Sequence, residues 1–312
     1  MKRVAVTGAG GFIGSAVVRR CVREGMHVRA LIGPPGVAGF PLPADVERLN
    51  SEIDSPPALA ALVADCDAVI HLAGPASVVA SFDVPADFAR IHVVGTASVL
   101  EASRRAGVAR IVYVSSAEIY GVPERNPVDE AHRLQPRSPY AAAKLGAEHM
   151  IESYRIAYEM PVVVLRPFSV FGPRQSRGGV VGSIMRQLIG GSGAARSVEL
   201  AAPQIVRDFC FVDDVAEAVV LAAGAQATRS TLNVATGRGT SIGDLARAAA
   251  AAIGCKLDLR PAPTADRPRR ADIPELVGDA HRIHTELGWQ ARTPLVEGLR
   301  HTIEWFRSTE GT

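Results

Sequence analysis

The sequence predicts an α/β fold in which a doubly wound parallel sheet is joined to a smaller C-terminal lobe. Short, uninterrupted apolar runs at residues 4–6, 111–115 and 162–167 alternate with segments of helical periodicity. Such runs are typical of strands buried on both faces, and their alternation with helices favours a parallel sheet. The pattern loosens after Gly172 into a segment rich in glycine, arginine and serine. These observations predict a Rossmann-type domain followed by a second lobe.

The remaining elements follow from local patterns along the chain. Apolar spacing at residues 12–18 predicts an amphipathic helix, and Gly25 ends it. Further strands are expected at residues 27–32, 68–74 and 207–212. Further helices are expected at residues 58–64, 86–107, 140–158, 242–253 and 294–306.

Composition and charge exclude several classes of protein. The 312 residues include 34 basic and 32 acidic side chains, so the net charge of +2 gives no strong field for nucleic acid or an anionic membrane. No apolar run reaches the length of a membrane span, and too few apolar residues precede the first glycines for a signal peptide. The four cysteines lie far apart, as is typical of a reducing compartment. We therefore expect a cytoplasmic protein that binds neither nucleic acid nor membrane.

A glycine pattern follows the first strand and precedes the first helix. Its members are Gly8, Gly11 and Gly14, with Gly10, Phe12 and Ile13 between them. In a strand–turn–helix unit such glycines permit a tight turn, a close approach of the backbone to a pyrophosphate, and close packing of helix on sheet. The first N–H groups of the helix then face the anion. The sequence therefore predicts a dinucleotide site, with an ordinary βα turn as the alternative.

The end of the second strand bears on the choice of cofactor. Dinucleotide-binding folds usually place an acidic residue there for the adenosine ribose of NAD. This chain has Ile32 followed by Gly33, and no arginine stands close enough to neutralise the 2′-phosphate of NADP. Since nothing positive occupies this position, NAD is the predicted cofactor and NADP is the less favoured one.

A second pattern places a tyrosine and a lysine one helical turn apart. Tyr140 and Lys144 follow Pro139 with the spacing Tyr-x-x-x-Lys, which puts both on one face of a helix. A nearby ammonium and a cationic nicotinamide both favour the phenolate, which can take a proton from a hydroxyl. Ser116, at the carboxyl end of the strand at residues 111–115, can hydrogen-bond the reacting oxygen. For the tyrosine and lysine alone, the alternative is two surface residues of a helix.

These motifs, in this order, resemble one family. The glycine turn, Ser116 and the Tyr140/Lys144 pair are similar to those of the extended short-chain dehydrogenases/reductases, the NAD-dependent nucleotide-sugar epimerase/dehydratase group. The resemblance covers nearly the whole chain and includes the segments Leu165-Arg166-Pro167, Arg207-Asp208-Phe209 and Leu287-Gly288-Trp289. It implies a two-lobed enzyme. Residues 1–171 and 205–236 would bind the dinucleotide, and residues 172–204 and 237–312 would bind a nucleotide-diphosphate sugar.

The resemblance assigns further cofactor contacts. Glu52 and Ile53 stand at the position that holds the adenine edge, with a solvated loop carboxylate as the alternative for Glu52. Leu72 and Ala73 belong to the segment that passes beside the nicotinamide. Tyr140 and Lys144 complete the predicted cofactor-binding set.

The resemblance also implies where the substrate and a second subunit bind. Arg207 and Arg269 match arginines that grip the diphosphate, and solvated surface arginines are the alternative for both. Ser169 stands where the family usually has an asparagine that touches the substrate. A homodimer would be formed through the helices at residues 86–107 and 140–158.

The implied chemistry divides at residues 117 and 118. In the family, C4 of the sugar is transiently oxidised while Tyr140 takes the hydroxyl proton, which gives a 4-keto sugar. The 4,6-dehydratases carry an acid followed by a glutamate, so Ala117 favours a 4-epimerase, whereas Glu118 fits the base of a 4,6- or 5,6-dehydratase. A non-catalytic dinucleotide-sensing regulator is the alternative from another class. The retained Ser116, Tyr140 and Lys144 disfavour it.

A few other polar residues have structural interpretations or depart from the family pattern. His92 stands where the pattern N-V-x-G-T has asparagine. His71, in its apolar strand, is expected to be a hydrogen-bonded core histidine, and the pair Asp213-Asp214 is expected to cap a helix. His281 and His284 have no acid or cysteine cluster nearby, so no metal site is predicted.

Overall fold

The computed structural model describes residues 2–34, 36–37, 39–176, 178–191, 193–225, 229–263, 268 and 271–309. The strands are β1 Arg3–Thr7, β2 His27–Leu31, β3 Glu47–Leu49, β4 Ala68–His71, β5 Arg110–Val114, β6 Val162–Pro167, β7 Ser169–Phe171, β8 Ala195–Leu200, β9 Val206–Phe211, β10 Thr231–Val234, β11 Gly239–Ser241, β12 Lys256–Pro261 and β13 Glu275–Leu276. The α-helices are α1 Phe12–Arg23, α2 Pro56–Val63, α3 Ala80–Asp83, α4 Pro85–Ala89, α5 Gly95–Arg105, α6 Pro139–Tyr158, α7 Val180–Gly190, α8 Val212–Gly224, α9 Ile242–Ile253, α10 His281–Leu287 and α11 Leu295–Thr309. A π-helical segment, Arg90–Val94, joins α4 to α5, and a 3-10 helix, Ala117–Tyr120, follows β5. Among the described helices, none combines the length and the apolar character needed to cross a bilayer.

Seven of the described strands form one parallel sheet in the order β10-β6-β5-β4-β1-β2-β3. Successive residues of a strand face opposite sides of the sheet. In β5, Ile111 and Tyr113 share a core with α2, α5 and α6, whereas Val112 and Val114 share a core with α1 and α8. Helices therefore cover both faces, which confirms the doubly wound fold that the alternating pattern predicts.

A second group of strands lies outside this sheet. β9 pairs with β7, β11 and β13, and β8 pairs with β12. Helices α7, α9 and α11 pack against one another beside these strands. Residues 205–236 are the second predicted segment of the dinucleotide-binding domain. In that segment, β9 pairs with strands of the second group, whereas β10 is the edge strand of the seven-stranded sheet.

The helix predicted at residues 86–107 is interrupted. It consists of α4, the π-helical segment and α5, so one turn in its middle is wider than an α-helical turn. His92, inside the wide turn, reaches the carbonyl oxygen of Pro75. Gly95, at the start of α5, lies so close to Ile53 that a Cβ would come within 2.7 Å of a side-chain carbon.

The capping role predicted for Asp213 and Asp214 is wrong. The N-cap of α8 is Phe211, and both acids lie in the first turn of the helix. The Asp214 carboxylate accepts hydrogen bonds from the backbone N–H groups of Arg292 and Thr293. Asp214 thus ties α8 to the segment before α11, a contact between distant parts of the chain that local sequence cannot indicate.

Candidate active site

The glycine turn between β1 and α1 has almost no room for side chains. Gly8 has a φ of +66°, and a Cβ there would come within 2.8 Å of the Ala73 backbone. A Cβ on Gly14 would overlap the carbonyl oxygen of Gly8. Gly11 is the N-cap of α1 and has no side chain to occupy the first N–H groups of the helix. Those groups are therefore available to an anion.

A cavity of about 580 Å³ opens beside this turn, at the carboxyl ends of β1, β4 and β5. Every residue predicted to bind the cofactor lines it, namely Gly8, Gly10, Gly11, Phe12, Ile13, Gly14, Glu52, Ile53, Leu72, Ala73, Tyr140 and Lys144. Sequence reasoning missed other lining residues, among them Gly74, Pro75, Arg90 and Ser115. Gly74 and Ser115 directly adjoin predicted site residues, which was the available signal. Pro75 and Arg90 have no such signal.

The part of the cavity next to β2 is apolar, with Ile32, Gly33 and Val37 in its lining. Arg90 and Lys144 are the cations among the described lining residues. The Arg90 guanidinium is engaged by the Asp54 carboxylate at 2.8 Å, with a carboxylate oxygen of Glu52 4.0 Å away. Because Arg90 is already balanced by acids, the lining favours a cofactor without a 2′-phosphate.

Tyr140 and Lys144 reach the cavity from the first turns of α6. Ser138 caps this helix by accepting a hydrogen bond from the backbone N–H of Ala141 at 3.1 Å, and Pro139 suits the first helical position. Tyr140 is 7% exposed and Lys144 is 5% exposed. The two side chains therefore lie on one buried face of a well-capped helix and are not surface residues.

Burial dominates the electrostatics of Lys144. Its ammonium donates a hydrogen bond to the carbonyl oxygen of Val114 at 2.8 Å and lies 4.9 Å from the centre of the Tyr113 ring. Burial lowers the pKa of Lys144 from 10.5 to about 7, and the charge of Glu148 acts in the opposite direction. The side chain therefore exchanges between ammonium and amine near neutral pH.

Ser116 and Glu118 lie just beyond the end of β5, where the 3-10 helix begins. The Ser116 hydroxyl accepts a hydrogen bond from the backbone N–H of Glu118 at 3.2 Å, and Ser116 lies near enough to Tyr140 to lower the pKa of that phenol. Burial raises the pKa of Tyr140 to about 12, while the interaction with Ser116 lowers it and the Glu118 charge raises it. Tyr140 is therefore a neutral phenol near neutral pH, and it needs an added positive charge beside it to act as a base.

The described residues predicted to hold a substrate, Ser169 and Arg207, lie outside the lining of this cavity. Ser169 begins β7 and Arg207 lies in the adjacent strand β9. The Arg207 guanidinium donates a hydrogen bond to the carbonyl oxygen of Ile273 at 2.8 Å. Arg269 lies outside the described residues, so its predicted role stays a prediction.

His71 is a hydrogen-bonded core histidine, as predicted. Its Nδ1 lies 2.7 Å from the Thr7 hydroxyl oxygen, and its Nε2 lies 3.0 Å from the Thr96 hydroxyl oxygen. Burial, followed by the charges of Lys144 and His92, lowers the pKa of His71 to about 3. The ring is therefore neutral near neutral pH and has no free nitrogen to offer a ligand.

His281 and His284 lie on α10 and line a second cavity, of about 560 Å³, together with Arg238 and Arg292. No carboxylate or cysteine belongs to the described lining of that cavity. Across the described residues, no three or more histidine, cysteine or acidic side chains are grouped so as to hold a metal ion.

The chain is similar to known proteins over almost its whole length. The sequence model of the GDP-mannose 4,6 dehydratase family matches residues 5–302. A UDP-glucose 4-epimerase of Mycolicibacterium smegmatis is 34% identical to this chain over an alignment 324 positions long, which covers 98% of this chain and 99% of that protein.

Two solved structures show the same fold. The UDP-glucose 4-epimerase of Thermotoga maritima, solved with UDP-glucose, has a TM-score of 0.90 and 30% identity, and the match covers 99% of both chains. The UDP-glucose 4-epimerase of Thermus thermophilus, solved in complex with NAD, has a TM-score of 0.87 and 31% identity over 98% of this chain and 99% of that chain. These matches confirm the predicted fold class and the family resemblance.

Proposed function

The chain belongs to the GDP-mannose 4,6-dehydratase family of extended short-chain dehydrogenases/reductases, and from that premise we propose that it is an NAD-dependent nucleotide-sugar 4-epimerase that acts through a transient 4-keto sugar. The observation that carries the proposal is the buried pair Tyr140 and Lys144 in the lining of the glycine-turn cavity, with Ser116 near enough to Tyr140 to lower its pKa. A regulator that only senses a dinucleotide has no need for this proton-transfer set.

The described residues fit NAD. The glycine turn leaves space against the backbone of Gly8 and Gly14 that a Cβ would fill, which suits a pyrophosphate at the N-terminus of α1. Glu52 and Ile53 line the cavity where we place the adenine edge, and Leu72 and Ala73 line it toward Tyr140. When bound, NAD supplies the acceptor and then the donor of a hydride at C4 of the sugar.

Each polar side chain of this site has a separate role in the proposed proton transfer. We assign Ser116 to hold the C4 oxygen of the sugar toward Tyr140. Tyr140 takes the hydroxyl proton as C4 is oxidised and returns it when C4 is reduced. Lys144, one turn along α6, contributes positive charge in its ammonium form, and that charge favours the phenolate of Tyr140.

The residue after Ser116 supports epimerisation over dehydration. Elimination of water needs a group that protonates the leaving hydroxyl, and Ala117 has none. Glu118 supports the second candidate, a 4,6- or 5,6-dehydratase, because its side chain is half-buried, its charge acts on Tyr140, and a carboxylate is a suitable base for a C5 proton. The family name itself, that of a 4,6-dehydratase, agrees with keeping this candidate.

We place the nucleotide-diphosphate sugar between the two predicted parts of the chain, with residues 172–204 and 237–312 as the substrate-binding lobe. Ser169 and Arg207, on neighbouring strands β7 and β9, are its proposed contacts. The Arg207 Nη1 donates hydrogen bonds to the carbonyl oxygens of Val206 and Ile273, which hold the guanidinium in place. Arg269 is proposed as a second contact from the family pattern alone.

We also propose a homodimer formed by α5, α6 and the same helices of a second copy. These helices pack on each other, and Ile156 and Tyr158 near the end of α6 are 74% and 53% exposed. Val94, just before α5, is 51% exposed as well. Exposed apolar side chains on neighbouring helices suit such an interface.

The four unpaired cysteines support a cytoplasmic location.

A panel of nucleotide-diphosphate sugars incubated with the purified protein, followed by NMR of the products, tests the proposal. Interconversion of two C4 epimers with no net change in free cofactor is the expected result. A 4-keto-6-deoxy or unsaturated product would favour the dehydratase. Absence of turnover with every sugar of the panel, in protein that retains NAD, would contradict both enzymatic candidates.

A further inference from the structure

His92 is buried under the wall of the cofactor cavity, at the position where the family pattern carries asparagine. The residue lies in the π-helical segment and is 1% exposed. Its Nε2 lies 2.9 Å from the carbonyl oxygen of Pro75, a lining residue of the cavity. Because a carbonyl oxygen can only accept, Nε2 carries the proton and donates it to Pro75.

The His92 ring also packs against the proposed base. The ring centroids of His92 and Tyr140 are 5.7 Å apart, with an angle of 72° between the planes. Phe88 completes a cluster of three rings, 6.2 Å from Tyr140 at 88° and 5.9 Å from His92 at 44°. Steep edge-to-face contacts are a preferred geometry for aromatic pairs, and two of them on Tyr140 restrict the rotation of its ring. The direction of the phenol oxygen is therefore set in part by His92.

The His92 imidazole also occupies the space beside Gly74, where a larger residue would place its side chain. Gly74 has a φ of +134°, and a Cβ at that position would come within 2.6 Å of the His92 Nδ1. Nδ1 is buried and has no hydrogen-bond partner among the described residues, so one hydrogen bond and ring packing hold the side chain. An asparagine is shorter and has no ring, so it cannot keep the packing on Tyr140.

We propose that His92 is a positioning residue of this enzyme: its ring orients Tyr140, and its Nε2–H fixes the Pro75 segment of the cofactor cavity. The inference rests on the proposed function, because it takes Tyr140 as the base. Burial, followed by the charge of Lys144, lowers the pKa of His92 to about 3, so the ring stays neutral near neutral pH and acts by contact. The charged and titratable groups around the two rings are Lys144 and His71 near His92, and Tyr113 and Glu118 near Tyr140.

Two substitutions separate the two contacts. His92→Asn removes the ring, and His92→Phe keeps a ring but removes the hydrogen bond to Pro75. The main readout is the titration of Tyr140 in NAD-loaded protein, followed by tyrosinate absorbance. The chain has five tyrosines, so each titration is compared with that of the same protein carrying Tyr140→Phe. His149→Asn, on the exposed side of α6, is the matched control.

We expect His92→Asn to move the titration of Tyr140 and to lower kcat about tenfold with little change in KM, since a small misorientation acts on the chemical step. We expect His92→Phe to leave that titration in place and to weaken retention of NAD. The proposal is overturned if Tyr140 titrates in the His92→Asn variant as in the wild type, or if His92→Phe retains NAD fully. If His92→Asn does not fold, a displaced Tyr140 titration in the His92→Phe variant overturns it too. A wild type that turns over no nucleotide sugar contradicts the proposed function, while the titration still tests His92.

Discussion

The ammonium of Lys144 donates a hydrogen bond to the backbone carbonyl oxygen of Val114 at 2.8 Å. Val114 is the last residue of β5, so this contact joins helix α6 to the strand that leads into Ser116. The same contact places a lysine in the core, where burial lowers its pKa to about 7. The site therefore contains a buried lysine, and burial of its charge is unfavourable for folding.

We predict that Lys144→Met stabilises the cofactor-free protein in a pH-dependent way. The unfolded lysine keeps its ordinary pKa of 10.5, so between pH 7 and 10.5 the unfolded chain binds more protons than the folded chain. The stability of the wild type therefore falls as the pH drops from 10.5 to 7, and the advantage of methionine is largest near pH 7. For each unit by which the pH drops through this window, that advantage grows by about 1.4 kcal/mol. Loss of the hydrogen bond to Val114 subtracts from it.

Urea unfolding across that pH window measures the effect, and Lys256→Met, at an exposed position of β12, is the control. An advantage that stays constant with pH would contradict a buried, titrating Lys144.

Tyr140→Phe is expected to keep the fold and the bound cofactor while catalysis falls by about 10²–10⁴-fold, the usual scale for one acid–base group. The phenyl ring preserves the contacts with Phe88 and His92 and removes the hydroxyl that exchanges the proton. Turnover of a confirmed substrate and NAD content are measured together. Tyr158→Phe, at the exposed end of the same helix, should change neither. Near-normal turnover by the Tyr140 variant would remove Tyr140 from the mechanism.

The sheet and the cofactor cavity were predictable because their signals are local. Continuous apolar runs report burial on both faces, and the glycine spacing reports a turn in which Gly8 and Gly14 have no room for a Cβ. The spacing of Tyr140 and Lys144 likewise reports one face of a helix whose start is marked by Ser138 and Pro139.

The features that sequence reasoning missed depend on contacts between distant residues. The hydrogen bonds from Arg292 and Thr293 to Asp214 span more than seventy residues of chain, so a local rule assigned Asp214 to a cap. The π-helical turn contains His92, whose ring is hydrogen-bonded to the Pro75 carbonyl oxygen, a contact that no helical pattern records. Arg90 enters the cavity lining by the same interrupted helix.

The buried His71 makes the stability of the folded protein sensitive to acid. The lowered pKa of about 3 means that the folded protein keeps this ring neutral, whereas an unfolded histidine binds a proton below its ordinary pKa of 6.5. Its contribution to stability is therefore complete above pH 6.5 and is lost as the pH falls from 6.5 toward 3. His92, with a similar pKa, acts in the same direction.

We expect His71→Asn to be less stable near neutral pH and to lose stability less steeply on acidification, by about 1.4 kcal/mol per pH unit for the one proton removed. Denaturant midpoints recorded from pH 6.5 downward give the slope, with His281→Asn as the exposed control. Equal slopes in wild type and variant would show that His71 does not titrate with unfolding.

The cofactor released by denaturing the purified protein is expected to be NAD. Ile32 at the end of β2 offers no charge to a 2′-phosphate, and Arg90 is occupied by Asp54. In titrations, NAD should bind more tightly than NADP. Ile32→Arg should reduce or reverse this difference in affinity, because the arginine supplies a cation. Recovery of NADP from the wild type would show that another residue neutralises the extra phosphate.

The two enzymatic candidates make opposite predictions about the C5 proton of the sugar. Glu118 lies two residues after Ser116, and its charge acts on Tyr140, so we expect its carboxylate to lie near a sugar whose C4 oxygen is bound by Ser116 and Tyr140. A C5 proton becomes acidic only while C4 is a ketone. A dehydratase must remove that proton, whereas a 4-epimerase leaves it in place throughout the reaction.

We predict the epimerase outcome, because Ala117 gives a leaving hydroxyl no proton. In deuterated water the product of the wild type should carry no deuterium at C5, and Glu118→Gln should change KM more than kcat. If the protein is a dehydratase, deuterium enters C5 in the wild type, and Glu118→Gln abolishes that exchange while hydride transfer to the cofactor continues. Glu130→Gln, which changes a carboxylate that accepts a hydrogen bond from the Asn233 backbone N–H, is the control that should leave C5 exchange unchanged in either case.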